Sequence, residues 1–237
     1  MKINLVSCLF VLDSEKNTNI RKNDIKKIKI LVTKDNILPE ISFNSDDMKK
    51  QIRKSLSSII GSNIFHLEQV FTMSYKDGID VIYLGITNIE NITKLNNNYQ
   101  LIDFKVENND TITFENKRYN YKTIEIEENN NIEYVHEIKT KDNVVRRTLL
   151  NLLISYKRIR SNADNTDILF KFMGQSFTLE DVRILYEIIK DSSVDKSNFR
   201  KRIIKYCEKI DEKEVTKNGF RPSQKYRFKP LKGDIWI

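Results

Sequence analysis

The chain has few of the residues on which many chemistries depend. Its 237 residues include two cysteines, two histidines and six glycines. Cys8 and Cys207 lie far apart, with neither the spacing of metal ligands nor the density of a disulfide framework. That usage suits a reduced, cytoplasmic setting. His66 and His136 are also isolated from each other and from any ligand pattern, so both are read as structural, and neither a metal nor a cofactor is expected. Six glycines leave little room for a phosphate-cradling loop, and no such motif occurs. No apolar run approaches the roughly 20 residues that cross a bilayer, which predicts a soluble protein. The first ten residues carry a short apolar stretch, but Asp13 and Glu15 follow without a small-residue cleavage pattern. A strand is therefore expected there rather than a secretory leader.

What is present is a globular composition, 39% hydrophobic and 10% aromatic, at a length that suits two modest domains. The informative feature is where the charge sits. The net charge is +8, yet Lys196–Lys232 holds 13 basic and four acidic residues and Lys139–Arg160 holds seven and one. These two segments together carry +15, so the remainder carries −7. Nine of the 12 arginines fall between Arg146 and Arg227. Clustered positive charge creates a field that draws polyanions, and arginine suits planar recognition of phosphate and guanine.

The first 135 residues read as β structure with one helix. Ser7–Asp13, Ile28–Thr33, Leu67–Ser74 and Asp80–Thr87 are strand-like, with weaker strands near Thr111–Phe114 and Tyr121–Glu127. Lys76, Asp77 and Gly78 suit a hairpin turn. Over Ser45–Ile60 the period changes: Met48, Ile52, Leu56, Ile59 and Ile60 recur at helical steps, with Ser45 as the expected N-cap, Asp46 and Asp47 in the first turn and Gly61 as terminator. Val144–Arg160 predicts a long helix with one stripe through Val145, Leu149, Leu152, Tyr156 and Ile159 and a second through Leu150, Leu153 and Ile154, a pattern that fits a helix joining two domains and meeting a symmetry mate, or one simply buried inside a single domain. A polar break follows at Ser161–Thr166.

Beyond the break, Thr178 and Asp181 form a carboxylate version of the capping box ahead of a helix with Leu179, Val182, Leu185, Tyr186 and Ile189 on one face. After a short polar turn, Asp195 is placed to cap a second helix, expected over Lys196 to about Ile210 with Phe199, Ile203, Tyr206 and Ile210 buried. Ser197, Asn198, Lys201 and Lys205 then face outward, flanked by Arg200 and Arg202. Lys217–Pro230 contains no acid and reads as a hairpin, with Tyr226 and Phe228 inward and Lys225, Arg227 and Lys229 outward. Helix, turn, cationic helix and basic hairpin in this order predict a winged helix-turn-helix that binds double-stranded DNA. Ser197, Asn198 and Lys201 are the candidates for base contacts; Lys196, Arg200, Lys205, Lys217, Arg221, Lys225 and Arg227 complete the expected interface, mainly on phosphates.

The residues Tyr156–Arg160, Ile168–Phe172, Phe177–Leu179, Tyr186–Glu187, Asn198–Lys201, Gly219–Pro222 and Tyr226–Phe228 resemble the Nudix-related transcriptional regulators, as do, more weakly, Leu67–Thr72 and Val81–Leu84. The resemblance implies an α+β chain: a Nudix-like α/β sandwich over residues 1–140, a linking helix over 141–166 and a small winged helix-turn-helix domain over 167–237. It further implies a dimeric, effector-responsive repressor that senses ADP-ribose or a related metabolite. Aligned on Gly61, the Nudix signature places its first glycine on Glu40, its first glutamate on Asp46, its Arg-Glu pair on Lys54-Ser55 and its paired glutamates on Ser58 and Ile59. Only Leu56 and Gly61 match. Hydrolysis of diphosphates needs clustered carboxylates to hold divalent cations, so the resemblance here implies a catalytically degenerate helix. Two rivals remain open: a residual hydrolase using carboxylates from elsewhere, such as Glu68 or Glu90, and a winged helix that binds protein.

Overall fold

The computed structural model describes residues 2–15, 25–75, 78–128, 131–165, 167–214 and 222–229. The first strand, β1 (Lys2–Glu15), explains the architecture. Val6, Cys8, Phe10 and Leu12 point into one apolar cluster, while Leu5, Leu9 and Val11 point into another. A strand apolar on both sides must be covered on both faces. It pairs antiparallel with β2 (Ile25–Thr33) and with the short β3 (Glu40–Ser42), and parallel with β5 (Gly78–Asn88). At Gly85 an added Cβ would lie 2.7 Å from Leu9 Cδ1, so the missing side chain makes room for the neighbouring leucine.

The sheet runs β4 (His66–Tyr75), β5, β1, β2, β6 (Tyr99–Glu107), β7 (Thr111–Phe114), β8 (Lys117–Glu128) and β9 (Asn131–Ile138), with β3 beside β1. Helix α1 (Met48–Ile60) covers one face through Ile52, Leu56, Ile59 and Ile60, and Gly61 ends it at φ 69° as expected. The N-cap differs from the expectation. Asp47 accepts from Lys50 N at 2.9 Å, whereas Ser45 bonds only the backbone of Asp47, because the helix begins at Met48, the first residue of the apolar pattern, which leaves Asp47 as the residue before it. Strands β3, β6 and β9 are additions to the expected set. The predicted turn at Lys76 and Asp77 lies outside the described residues.

The other face is covered by α2 (Asn143–Asn162), on which Leu149, Leu152, Leu153, Tyr156 and Ile159 are buried. The Tyr156 ring packs 5.6 Å from Phe104 and 6.2 Å from Phe10, while its hydroxyl donates to the carbonyls of Ile188 and Ile189. One side chain of the first stripe thus joins the sheet to the C-terminal unit, while of the second stripe Leu153 is buried and Leu150 and Ile154 are half-buried. The same apolar cluster continues through Phe172, Leu185, Phe199 and Tyr226. No described helix is long and apolar enough to cross a membrane.

The C-terminal unit comprises a 3-10 turn (Ile168–Phe172), β10 (Phe177–Thr178), α3 (Leu179–Lys190), α4 (Lys196–Ile203), β11 (Cys207–Glu214) and β12 (Ser223–Phe228). Its three strands lie in the order β10, β12, β11. The second helix is therefore shorter than predicted. It gives way to a 3-10 turn at Ile204–Tyr206 and then to strand, because Cys207–Lys209 pair with Tyr226–Phe228. Cys207 consequently lies on β11 and not on the recognition helix. Burial pushes its thiol up to about 12, which leaves it a protonated packing group at neutral pH.

Candidate nucleic-acid interface

Two helix caps place α3 and α4. Thr178 N donates to Asp181 Oδ2 at 2.8 Å while Asp181 N donates to Thr178 Oγ1 at 3.1 Å, the reciprocal pattern expected at the start of α3. Asp195 accepts from Asn198 N at 2.8 Å and starts α4. The turn between the helices is fixed by a group outside the expected set. Arg183 binds Glu180 at 2.7 Å and Glu187 at 2.5 Å, and Glu187 in turn accepts from Val194 N at 2.9 Å. The three- and four-residue spacings of Glu180, Arg183 and Glu187 were the available signal. The paired carboxylates hold the half-buried Arg183 firmly in its charged form.

Phe199 and Ile203 anchor α4 in the core. Lys196, Ser197, Asn198, Arg200, Lys201 and, just beyond the helix, Lys205 are exposed. Among the described residues, Arg200, Lys201 and Lys205 have no carboxylate at ion-pair distance, whereas Lys196 lies 3.8 Å from Glu180. Arg202 belongs to the scaffold: its guanidinium lies 4.7 Å from the Tyr186 ring centre and 3.2 Å from Asp164. A depression of about 300 Å³ opens beside the helix, lined by Glu180, Arg183, Lys196, Arg200, Gln224 and Tyr226 among others.

The wing differs from the predicted hairpin in its first strand: β11 takes up Cys207–Glu214, part of which the helical period claims. Along β12 the alternation holds: Tyr226 is buried and Phe228 stacks on Phe170 at 4.6 Å, while Arg227 is exposed. Arg227 lies 2.8 Å from Glu208 across the hairpin, an exposed pair that a phosphate would have to displace. Lys225 is half-buried and borders the cleft that also contains Lys26 and Asp181, whereas its neighbours Gln224 and Tyr226 line the depression beside α4. Lys217 and Arg221, with the Asn218–Gly219 turn, lie outside the described residues.

On α1, Ile59 is buried, Ser55 is half-buried and Ser58 is exposed. Glu68 sits at the start of β4 with His66 at 3.3 Å and Arg158 at 3.4 Å, and Glu90 lies in a 3-10 turn after β5. Glu68 borders a cleft shared with Lys49 and Arg53 of α1, Glu90 borders a different one beside Lys26, and no group of three His, Cys, Asp or Glu side chains suited to a metal occurs among the described residues.

Comparison with known proteins places this geometry. Residues 169–228 match the NrtR DNA-binding winged helix domain. No curated protein sequence matches the chain. Among solved structures, a MutT/nudix family protein from Enterococcus faecalis superposes with a TM-score of 0.68 at 16% identity, covering 97% of this chain and 88% of its own. Shewanella oneidensis NrtR complexed with a 27mer DNA superposes with a TM-score of 0.64 at 12% identity, covering 96% of this chain and 94% of its own. At these identities the likeness concerns the fold: a Nudix-like α+β structure followed by a C-terminal winged helix.

Proposed function

We propose that this protein is a cytoplasmic transcriptional regulator, acting as a homodimeric repressor on a palindromic operator. Its Nudix-like half is a catalytically silent receptor for a nucleotide or sugar-phosphate metabolite such as ADP-ribose. The observation that carries the reading is the exposed cationic face of α4, in a segment that matches a DNA-binding winged helix family. Ser197, Asn198 and Lys201 face outward where a recognition helix meets base edges, and Lys196 and Arg200 flank the depression beside it, where a phosphate can seat. Lys205 extends the same side. Arg227 is assigned a phosphate role that competes with Glu208, and Lys225 a lesser one; Lys217 and Arg221 would add charge at the wing tip.

The absence of enzyme activity rests on Ser55, Ser58 and Ile59 at positions where hydrolysis needs carboxylates. A ligand that distinguishes two placements of the winged helix would shift DNA affinity by its difference in binding free energy between them. Fluorescence anisotropy on operator DNA tests the reading: ADP-ribose, NAD and sugar phosphates are added in turn. A change of affinity with at least one supports the regulator, and an unchanged affinity across all of them removes the sensor role.

A further inference from the structure

A cavity of about 470 Å³ lies away from α4, and among the described residues none of α4, β11 or β12 lines it. One wall comes from α1 and the start of β4, through Lys49, Arg53 and Phe65. The opposite wall comes from the end of α2 and the 3-10 turn that opens the winged-helix unit, through Arg158 and Lys171. We infer that this cavity is a binding site for a small phosphate-bearing ligand.

The charge balance carries the inference. Lys49, Arg53, Arg158 and Lys171 outnumber the two carboxylates, Glu68 and Asp167. Arg53 is aimed by its surroundings: its guanidinium lies 4.7 Å from the Phe65 ring centre and donates to Phe65 O at 3.3 Å. Arg158 lies 3.4 Å from Glu68 with about half of its side chain exposed, and Lys171 lies 2.6 Å from Asp167. Two guanidiniums and two ammoniums around a cleft of this size suit the several oxygens of a phosphate or diphosphate, which accept more hydrogen bonds than a carboxylate offers. Phe65, Leu67 and Ile168 add an apolar border for whatever the phosphate is attached to.

Position separates this cavity from the face on which Nudix carboxylates would stand. At about 100° per residue, Lys49 and Arg53 share one side of α1, and Ser58 lies roughly 140–180° around from them. Because both halves of the molecule contribute walls, an occupant bridges them. The proposal deepens the sensor reading and rests on it for its consequence, but binding itself requires no DNA.

The test is isothermal titration calorimetry on the full chain without DNA, using inorganic pyrophosphate and ADP as probes. Saturable binding weakened at least tenfold in Lys49→Gln and in Arg53→Gln, and unchanged in Ser58→Glu, is the expected result. Lys49 is exposed, so its variant keeps the test valid if Arg53→Gln disturbs folding. Equal affinity for the two probes assigns recognition to the phosphates alone; tighter ADP binding assigns part of it to the apolar border. Absence of saturable binding by either probe, or loss of binding in Ser58→Glu with Lys49→Gln unaffected, overturns the proposal. Anisotropy on DNA with pyrophosphate present then reports separately on the regulator reading.

Discussion

In the front sheet Lys29 reaches Asp13 at 2.7 Å, Lys105 reaches Glu107 at 2.7 Å and Lys122 reaches Glu137 at 2.9 Å. On the recognition side, Arg200, Lys201 and Lys205 meet no carboxylate at that range among the described residues. Exposed ion pairs contribute only about 0–1 kcal/mol each, so the difference bears little on stability. It bears on the field: paired charges cancel at a distance, whereas unpaired ones of one sign keep attracting a polyanion. The sheet and the winged helix nevertheless share one apolar core, which runs from Phe10 and Phe104 through Tyr156 to Leu185 and Phe199. The two regions therefore differ in surface chemistry while remaining coupled inside.

That coupling is broken most severely by Phe172→Ala. Phe172 is fully buried, and its carbonyl accepts from Asn88 Nδ2 of the sheet at 3.0 Å. A loss of about 3–5 kcal/mol is expected in chemical denaturation, within one transition that both regions share. Two transitions, only one of them shifted, would show that the regions unfold separately. On the surface, Asn198→Ala should cost about 1–3 kcal/mol at a single operator position while leaving random duplex binding intact, as competition with mutated operators would show. Tyr156→Phe removes the hydroxyl that reaches Ile188 and Ile189 but keeps the ring, so a cost of about 1 kcal/mol is expected by thermal melting.

The smallest effect concerns pH. Burial pushes the Asp164 carboxyl up, but hydrogen bonds from Lys190 at 2.5 Å and Tyr186 at 2.8 Å outweigh it and hold the group below its ordinary value. A depressed carboxylate stabilises the fold above the ordinary carboxylate range and loses that contribution as pH falls through its folded value. The stability gap between the wild type and Asp164→Asn should therefore narrow as pH falls through and below the ordinary carboxylate range. A constant gap would assign the Asp164 contacts no role in holding α2 against α3.

Legibility in the sequence followed the strength of the local signals. The caps at Thr178 and Asp195 and the glycine stop at Gly61 each have a single physical reading, and the structure contains all three. The end of α4 was misread because Phe199, Ile203, Tyr206 and Ile210 keep a helical period by coincidence, while strand β11 is dictated by pairing with β12, a partner distant in sequence. Strand β9 has a local signal of its own, Ile132, Tyr134 and Ile138 alternating in sequence with Glu133 and Glu137, and it pairs with β8, Tyr121 against Ile138. The cavity near Arg53 was illegible because its walls come from α1, β4, α2 and the 3-10 turn, which only the fold brings together.

The central claim, that the exposed cations of α4 draw DNA, is tested most directly by the salt dependence of duplex binding in the wild type and in the Arg200→Ala/Lys201→Ala double variant. The account predicts that log affinity falls linearly with log salt, and that the double variant binds all duplexes more weakly with a slope shallower by about 1.8 if both side chains contact phosphates. Binding that is absent, insensitive to salt or unchanged in the variant would contradict it.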